Sequence, residues 1–252
     1  MSEPILVDLH CHLLPGIDDG AANENAAVDL MRKEEADGVH AVMFTPHFYY
    51  ERMGLDSFVS NRKAAYTLTA NACRREGIRV AGKLGAEVHF TPALPFLDLS
   101  KLCFSGTRYI LVEFPTAVHA AGIEETLYAI LQRGYTPILA HVERFPYISE
   151  NPMLLYNWVT MGCLAQVNAS GFLRGGETAK LMQRYLHWNL IHLLASDAHS
   201  IKRRPPNLKD VHAMLPQDVS AYFMRNGEAV FFDREPFIPE PIEPKKIFGL
   251  WK

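Results

Sequence analysis

Three residues near the start of the chain, Asp8, His10 and His12, stand at alternate positions in Asp8-Leu9-His10-Cys11-His12. With eleven Asp and eleven His in 252 residues, chance places about 0.02 such triplets in a chain. On a strand, His10 and His12 point to one side, as two ligands of one ion must. Asp8 is expected to share that side and to orient one imidazole through its far nitrogen. Further donors recur downstream: His47 in Thr-Pro-His, Glu87 and His89 in Glu-Val-His, Glu113 in Glu-Phe-Pro, His141 in His-Val-Glu-Arg, and Asp197 and His199 in Ser-Asp-Ala-His. The loop Pro15-Gly-Ile-Asp-Asp-Gly supplies Asp18 and Asp19, one of which is a ligand candidate, with Asp19 preferred.

Each donor closes an apolar run. The runs at 5–9, 41–44, 79–84, 109–112, 136–140, 164–167 and 191–194 are short enough for buried strands. Helical spacing fills the stretches 25–37, 55–76, 122–133, 152–161, 177–186 and 208–214. Gly38, Gly77, Gly134 and Gly162 follow as helix stops. Strands alternating with helices imply a parallel α/β sheet, and seven such units in this length imply a barrel. Strand C-termini in a barrel converge on one face, so the donors are expected to meet there. No linker divides the chain, which reads as a single domain over 1–252 with an extended, Pro-rich tail at 233–252.

Imidazoles and carboxylates without thiolates suit Mn2+, Fe2+ or Zn2+. His10, His12, Asp19, His47, Glu87, Glu113, His141, Asp197 and His199 make nine ligands, enough for two or three ions. Such a centre activates water for phosphoryl transfer, with amide or ester hydrolysis as the rival reaction. No strand end carries a lysine of the kind amidohydrolase barrels carboxylate. Arg144 and Arg204 lie close behind strand-end ligands and suit a phosphate, whereas Lys202 and Arg203 read as a solvated face. Phe48, Tyr49 and Tyr50 follow His47 as an aromatic run at the lip.

The remaining composition excludes other classes. A formal charge of −3 argues against a nucleic-acid or polybasic membrane binder. No apolar run reaches the ~18 residues of a membrane span, and the N-terminus lacks a leader pattern. Four cysteines without a Cys-x-x-Cys pair read as reduced thiols of a cytoplasmic protein. Cys73 and Arg79 match the Cys-x5-Arg spacing of thiol phosphatases, but helix and strand come in the wrong order around them. His40, His119, His187, His192 and His212 fall off the strand-end pattern.

The motifs Asp8-Leu-His-Cys-His, Pro15-Gly-Ile-Asp-Asp-Gly, Thr45-Pro-His, Gly85-Ala-Glu, Val112-Glu-Phe-Pro, Ala140-His-Val-Glu-Arg and Ser196-Asp-Ala-His with Arg204-Pro-Pro resemble the PHP (polymerase and histidinol phosphatase) superfamily. They are most similar to its CpsB/CapC branch of bacterial manganese-dependent protein-tyrosine phosphatases. The resemblance implies an irregular (β/α)7 barrel holding three divalent ions, Mn2+ first, with Fe or Zn as alternatives. It implies one ion on His10, His12, Glu87 and Asp197, a second on Glu87, Glu113 and His141, and a third on Asp19, His47 and His199. Arg144 and Arg204 become phosphate clamps, and a metal-activated hydroxide attacks phosphorus in line. The implied substrate is phosphotyrosine on protein, on the tail of a tyrosine kinase of capsule or exopolysaccharide synthesis. A histidinol-phosphate-type small-molecule phosphatase and a non-catalytic phosphotyrosine-binding regulator are the alternatives. His89 has no counterpart in many relatives.

Overall fold

Most of the apolar runs form strands buried on both faces, the condition of a parallel sheet covered by helices. The computed structural model describes residues 4–247 and 250–251. Along the chain come β1 (Val7–Cys11), α1 (Glu24–Ala36), β2 (Ala41–Phe44), β3 (His47–Phe48), α2 (Leu55–Arg75), β4 (Ala81–Leu84), β5 (Glu87–His89), β6 (Tyr109–Glu113), α3 (Ile123–Gln132) and β7 (Thr136–Leu139). They are followed by α4 (Pro146–Glu150), α5 (Met153–Met161), β8 (Leu164–Asn168), α6 (Ala169–Arg174), α7 (Gly176–His187), β9 (Leu193–Ala195), α8 (Leu208–Met214), α9 (Gln217–Phe231) and a hairpin of β10 (Lys246–Ile247) and β11 (Leu250–Trp251).

The main strands are parallel and lie in two sheets, β1-β2-β4 and β3-β5-β6-β7-β8-β9, which together form a half-barrel. The chain steps directly from the first sheet into the second at Thr45-Pro46 and again at Gly85-Ala86, returning between them through α2. Pro46 has no N–H to continue a ladder. Its carbonyl instead accepts from Glu87 N at 3.1 Å, so pairing resumes as β3 against β5. A Cβ on Gly85 would lie 2.7 Å from the Phe104 ring, so a larger residue there would push the two apart. At the far edge, Asp197 N donates to His10 O and His12 N donates to Ala198 O, each at 2.8 Å. These bonds lay the segment after β9 against the end of β1.

Alternate strand residues separate into two cores. Val42, Ile110, Val112, Leu139, Ala165 and Val167 pack with the helices, beside Leu127 and Trp158. Met43, Tyr109, Leu111, Ile138, Leu164 and Leu193 pack on the opposite face, with Val230 and Phe231 of α9 beneath them. That second face turns polar toward the strand C-termini, since Glu113 continues Tyr109 and Leu111, and Gln166 and Asn168 continue Leu164.

Sequence periodicity misses α4, α6 and α9. Asn226 and Gly227 lie on the buried side of α9 and interrupt its apolar stripe. Asn226 is structural: its Nδ2 donates to His192 O at 3.2 Å and Phe237 O at 3.1 Å, and its Oδ1 accepts from Phe237 N at 2.9 Å. The described part of the tail is extended up to its short terminal hairpin and packs on the body, with Ile242 N bonded to Trp188 O and Trp251 Nε1 to Glu150 O. All four cysteines are free and buried, and burial raises the Cys73 thiol inside α2. Among the described residues no helix is long and apolar enough to cross a membrane.

Candidate metal centre

Eight strand-end donors and Asp19 of the loop after β1 meet at the C-terminal mouth of the parallel strands. From β1, His10 Nε2 and His12 Nε2 lie 3.1 Å apart. Glu87 Oε2, at the start of β5, is 3.3 Å from the first and 3.2 Å from the second. Asp197 Oδ1 faces both, at 3.6 and 3.5 Å. His141 Nε2 lies 2.9 Å from Glu87 Oε1 and 3.5 Å from Glu113 Oε1, so Glu87 faces two groups of donors at once. Asp19 Oδ1 stands 3.4 Å from His47 Nε2 and 3.3 Å from His199 Nε2.

Local backbone sets these positions. Asp18 and Asp19 divide the labour within their loop. Asp18 Oδ2 accepts from His12 Nδ1 at 2.8 Å and from His47 N at 3.1 Å, so Asp18 orients the imidazole and Asp19 faces the donors. The loop rests directly on β1, since a Cβ on Gly20 would sit 2.0 Å from His12 O. His141 and Asp197 both have left-handed backbone, with φ of 32° and 53°, which side-chain-bearing residues seldom adopt. Each thereby leaves its strand direction and turns toward the centre.

Asp8 does not take the place expected of it. The register of β1 against β2 shifts between Asp8 and Cys11, which breaks the alternation that would align Asp8 with His10 and His12. Its carboxylate accepts from Ser196 N at 3.0 Å, from Ser196 Oγ and from His10 N at 3.3 Å, binding β1 to the segment after β9. The partner of His10 Nδ1 is Gln166 Oε1, at 3.1 Å. Gln166 Oε1 also accepts from His141 N at 3.0 Å, and its Nε2 donates to Asn168 Oδ1 at 2.9 Å. Asn168 Nδ2 then donates to Asp197 Oδ2 at 2.8 Å. One amide relay from β8 thus braces three of the donors, and its only sequence signal was polar residues at alternate positions of an apolar strand.

The electrostatics are those of a cation site. Burial opposes charge on His12 and His141, but the carboxylates of Asp18 and Glu87 beside the first, and of Glu113 and Glu87 beside the second, raise both to about 10. Burial also opposes charge on Glu113 and Asp197, yet the surrounding imidazoles hold each at about 2. Glu87 is likewise held well below the usual carboxylate range. Burial lowers His199 to about 4. Glu87 Oε2, His47 Nδ1 and His199 Nε2 are buried polar atoms without a hydrogen-bond partner, and all three face this cluster. Ligand atoms of His12, Asp19, His47 and His199, of His10, His12 and Asp197, and of His47, Glu87 and Glu113 fall within 4.8 Å inside each group. Such a nitrogen–oxygen donor set fits divalent cations.

The two arginines stand at one rim. Arg144 Nη1 and Arg204 Nη1 reach Asp197 Oδ2 at 3.3 and 3.2 Å, and Arg204 Nη2 reaches Asp19 Oδ2 at 3.3 Å. His89 Nδ1 is 3.4 Å from Glu113 Oε2 at the opposite rim. Of the three aromatic residues, Phe48 is buried against Phe58 and Tyr50 is exposed. Tyr49 alone stands by the donors, its ring 5.5 Å from His47 and 4.9 Å from His89.

A family model described as capsular polysaccharide synthesis, CpsB/CapC, matches residues 6–231. The chain belongs to the CpsB/CapC family. Among relatives, the tyrosine-protein phosphatase YwqE of Bacillus subtilis is 31% identical over 98% of this chain and 100% of its own length. The tyrosine-protein phosphatase CpsB of Streptococcus pneumoniae is 27% identical over 91% of this chain and 99% of its own. A crystal structure from a study of YwqE and CpsB as metal-dependent tyrosine phosphatases superposes with a TM-score of 0.86 at 28% identity, covering 95% of this chain and 100% of that one. The phosphotriesterase homology protein of Escherichia coli, at 12% identity, 92% and 100% coverage and a TM-score of 0.56, shares the fold alone with this CpsB/CapC member.

Proposed function

We propose that this chain is a metal-dependent protein-tyrosine phosphatase that removes phosphate from tyrosines of a protein partner, a tyrosine kinase of capsule or exopolysaccharide synthesis. The observation that carries the reading is the convergence of nine imidazole and carboxylate donors with two arginines on one edge of the cluster. The named activity of relatives aligned over nearly the whole chain supports it. Three divalent ions, Mn2+ first, fit the donor groups. His10, His12, Glu87 and Asp197 would hold one, Glu87, Glu113 and His141 a second, and Asp19, His47 and His199 a third. In this reading β2 with β3, and β4 with β5, count as two interrupted strands. The order then has seven, closed by the Cys11–Ala198 bridge as in an irregular (β/α)7 barrel of PHP type, and the chain is one cytoplasmic domain.

Bound divalent ions supply Lewis acidity toward phosphate oxygens and a nucleophilic water at neutral pH. The chain's own residues do the rest. Arg144 and Arg204 exchange their contact with Asp197 for the phosphate oxygens, neutralising charge that grows as phosphorus is attacked. Asp18 and Gln166 keep His12 and His10 turned toward the centre. Tyr49 offers a face for the substrate ring. The leaving phenolate has a conjugate-acid pKa near ~10, so a strong general acid is not required.

Elemental analysis of the purified protein, with turnover of a phosphotyrosine peptide and of histidinol phosphate measured with and without Mn2+, tests the reading. Bound divalent metal and Mn2+-dependent turnover favouring the peptide are expected. Preference for histidinol phosphate would move the assignment to a small-molecule phosphatase, and peptide binding without turnover to a regulator.

A further inference from the structure

Beside the centre, Arg144, Arg174, Arg203 and Arg204 line one cavity of about 430 Å3, a volume within the usual range for ligand pockets. Two of these arginines already have a place, at Asp197. The other two do not. Arg174 comes from the end of α6 and makes one side-chain hydrogen bond, from Nη2 to Ser170 Oγ at 3.2 Å. Arg203 comes from the loop after His199, and only its backbone N is engaged, with Ser200 Oγ. Among the described residues neither pairs with a carboxylate. The only acidic residues in the lining are Asp197 and Glu143. Both side chains are exposed, so two guanidinium groups line the cavity without a protein carboxylate paired to them.

The same walls carry polar atoms of another kind. Asn207 is 7% exposed and its Oδ1 has no hydrogen-bond partner, and Glu143 Oε2 is buried without one. Both atoms lie beneath the surface of the lining, so the groups that open onto the cavity are the arginines. The lining thus offers cations for an anion.

We propose that this cavity is a substrate subsite, in which Arg174 and Arg203 bind a second anionic group, carboxylate or phosphate, on the residues flanking the phosphotyrosine. The inference rests on the phosphatase reading and adds a preference for multiply anionic peptides. Arg174 and Arg203 act in recognition, leaving the reacting atoms to the centre.

Three phosphotyrosine peptides test it with the Mn2+-loaded enzyme: one flanked by Ala, one by Glu and one by a second phosphotyrosine, with p-nitrophenyl phosphate as a probe that cannot reach the subsite. The wild-type protein should favour at least one anionic peptide over the Ala peptide by about tenfold in kcat/KM. The double substitution Arg174→Gln with Arg203→Gln should erase that preference through KM, leaving kcat and p-nitrophenyl phosphate turnover unchanged. Preference for the Glu peptide identifies a carboxylate as sufficient, and preference for the doubly phosphorylated peptide alone identifies phosphate. Equal kcat/KM for all three peptides, or an equal loss on the Ala peptide in the double variant, overturns the subsite. Failure to turn over any of the four substrates would instead remove the phosphatase reading beneath it.

Discussion

His12 and His192 are equally shut off from water, at 1% and 0% exposure, yet their surroundings drive them in opposite directions. At His192, on the flank of β8 and β9, burial lowers the imidazole to about 4, and its Nδ1 accepts from Ala165 N at 3.0 Å. It is a neutral hydrogen-bonding piece of the core. At the strand mouth burial works against charge just as strongly, but Asp18 and Glu87 outweigh it and carry His12 to about 10. Burial alone therefore says little about what a histidine is for. Convergent carboxylates distinguish a candidate cation centre from an apolar interior.

The contrast is open to attack from both sides. The largest effect should come from His141→Ala, which removes a donor shared between Glu87 and Glu113. Phosphotyrosine turnover should fall by roughly a thousandfold or more while the fold, followed by circular dichroism, persists. Activity within tenfold of wild type would place the chemistry elsewhere.

Next comes the other region. The unfolded chain binds a proton on His192 near its ordinary value of 6.5, whereas the folded chain does so only near 4. The resulting stability is complete above pH 6.5 and is lost as pH falls toward 4, by about 3 kcal/mol in all. His192→Asn keeps an acceptor for Ala165 N and removes the titration. Denaturant midpoints of the metal-free protein across that window should show a shallower acid loss in the variant, and parallel curves would mean that His192 titrates normally.

The smallest effect tests orientation. Asp18→Asn should weaken the metal dependence of activity by about ten- to a hundredfold, read as the Mn2+ concentration for half-activation. A shift below twofold would reduce Asp18 to a turn residue.

Eight of the nine donors were legible because each follows an apolar run, and strand ends of an α/β fold share one face, whereas Asp19 came from its loop beside them. The partners that hold them were less so. Gln166 and Asn168 are ordinary residues whose meaning comes only from strands distant in sequence, and Asp8 was misplaced because a register shift leaves no mark in the alternation. Arg203 is exposed, as its reading as a solvated charge expects; its sharing a cavity with Arg174 was not legible, because that cavity lies between α6 and the loop after β9. In the fold, the seven runs were visible, but α9 hid behind Asn226 and Gly227, and the two sheet crossings depend on which neighbour completes the ladder after Pro46 and Gly85.

His141 and Asp197 hold backbone angles that glycine would adopt without strain, at about 1 kcal/mol each. Durability and chemistry thus pull the same two positions apart. Selection for heat resistance alone would drift toward glycine at both and strip the mouth of its donors. A chain with glycine at both would keep its architecture and fall silent.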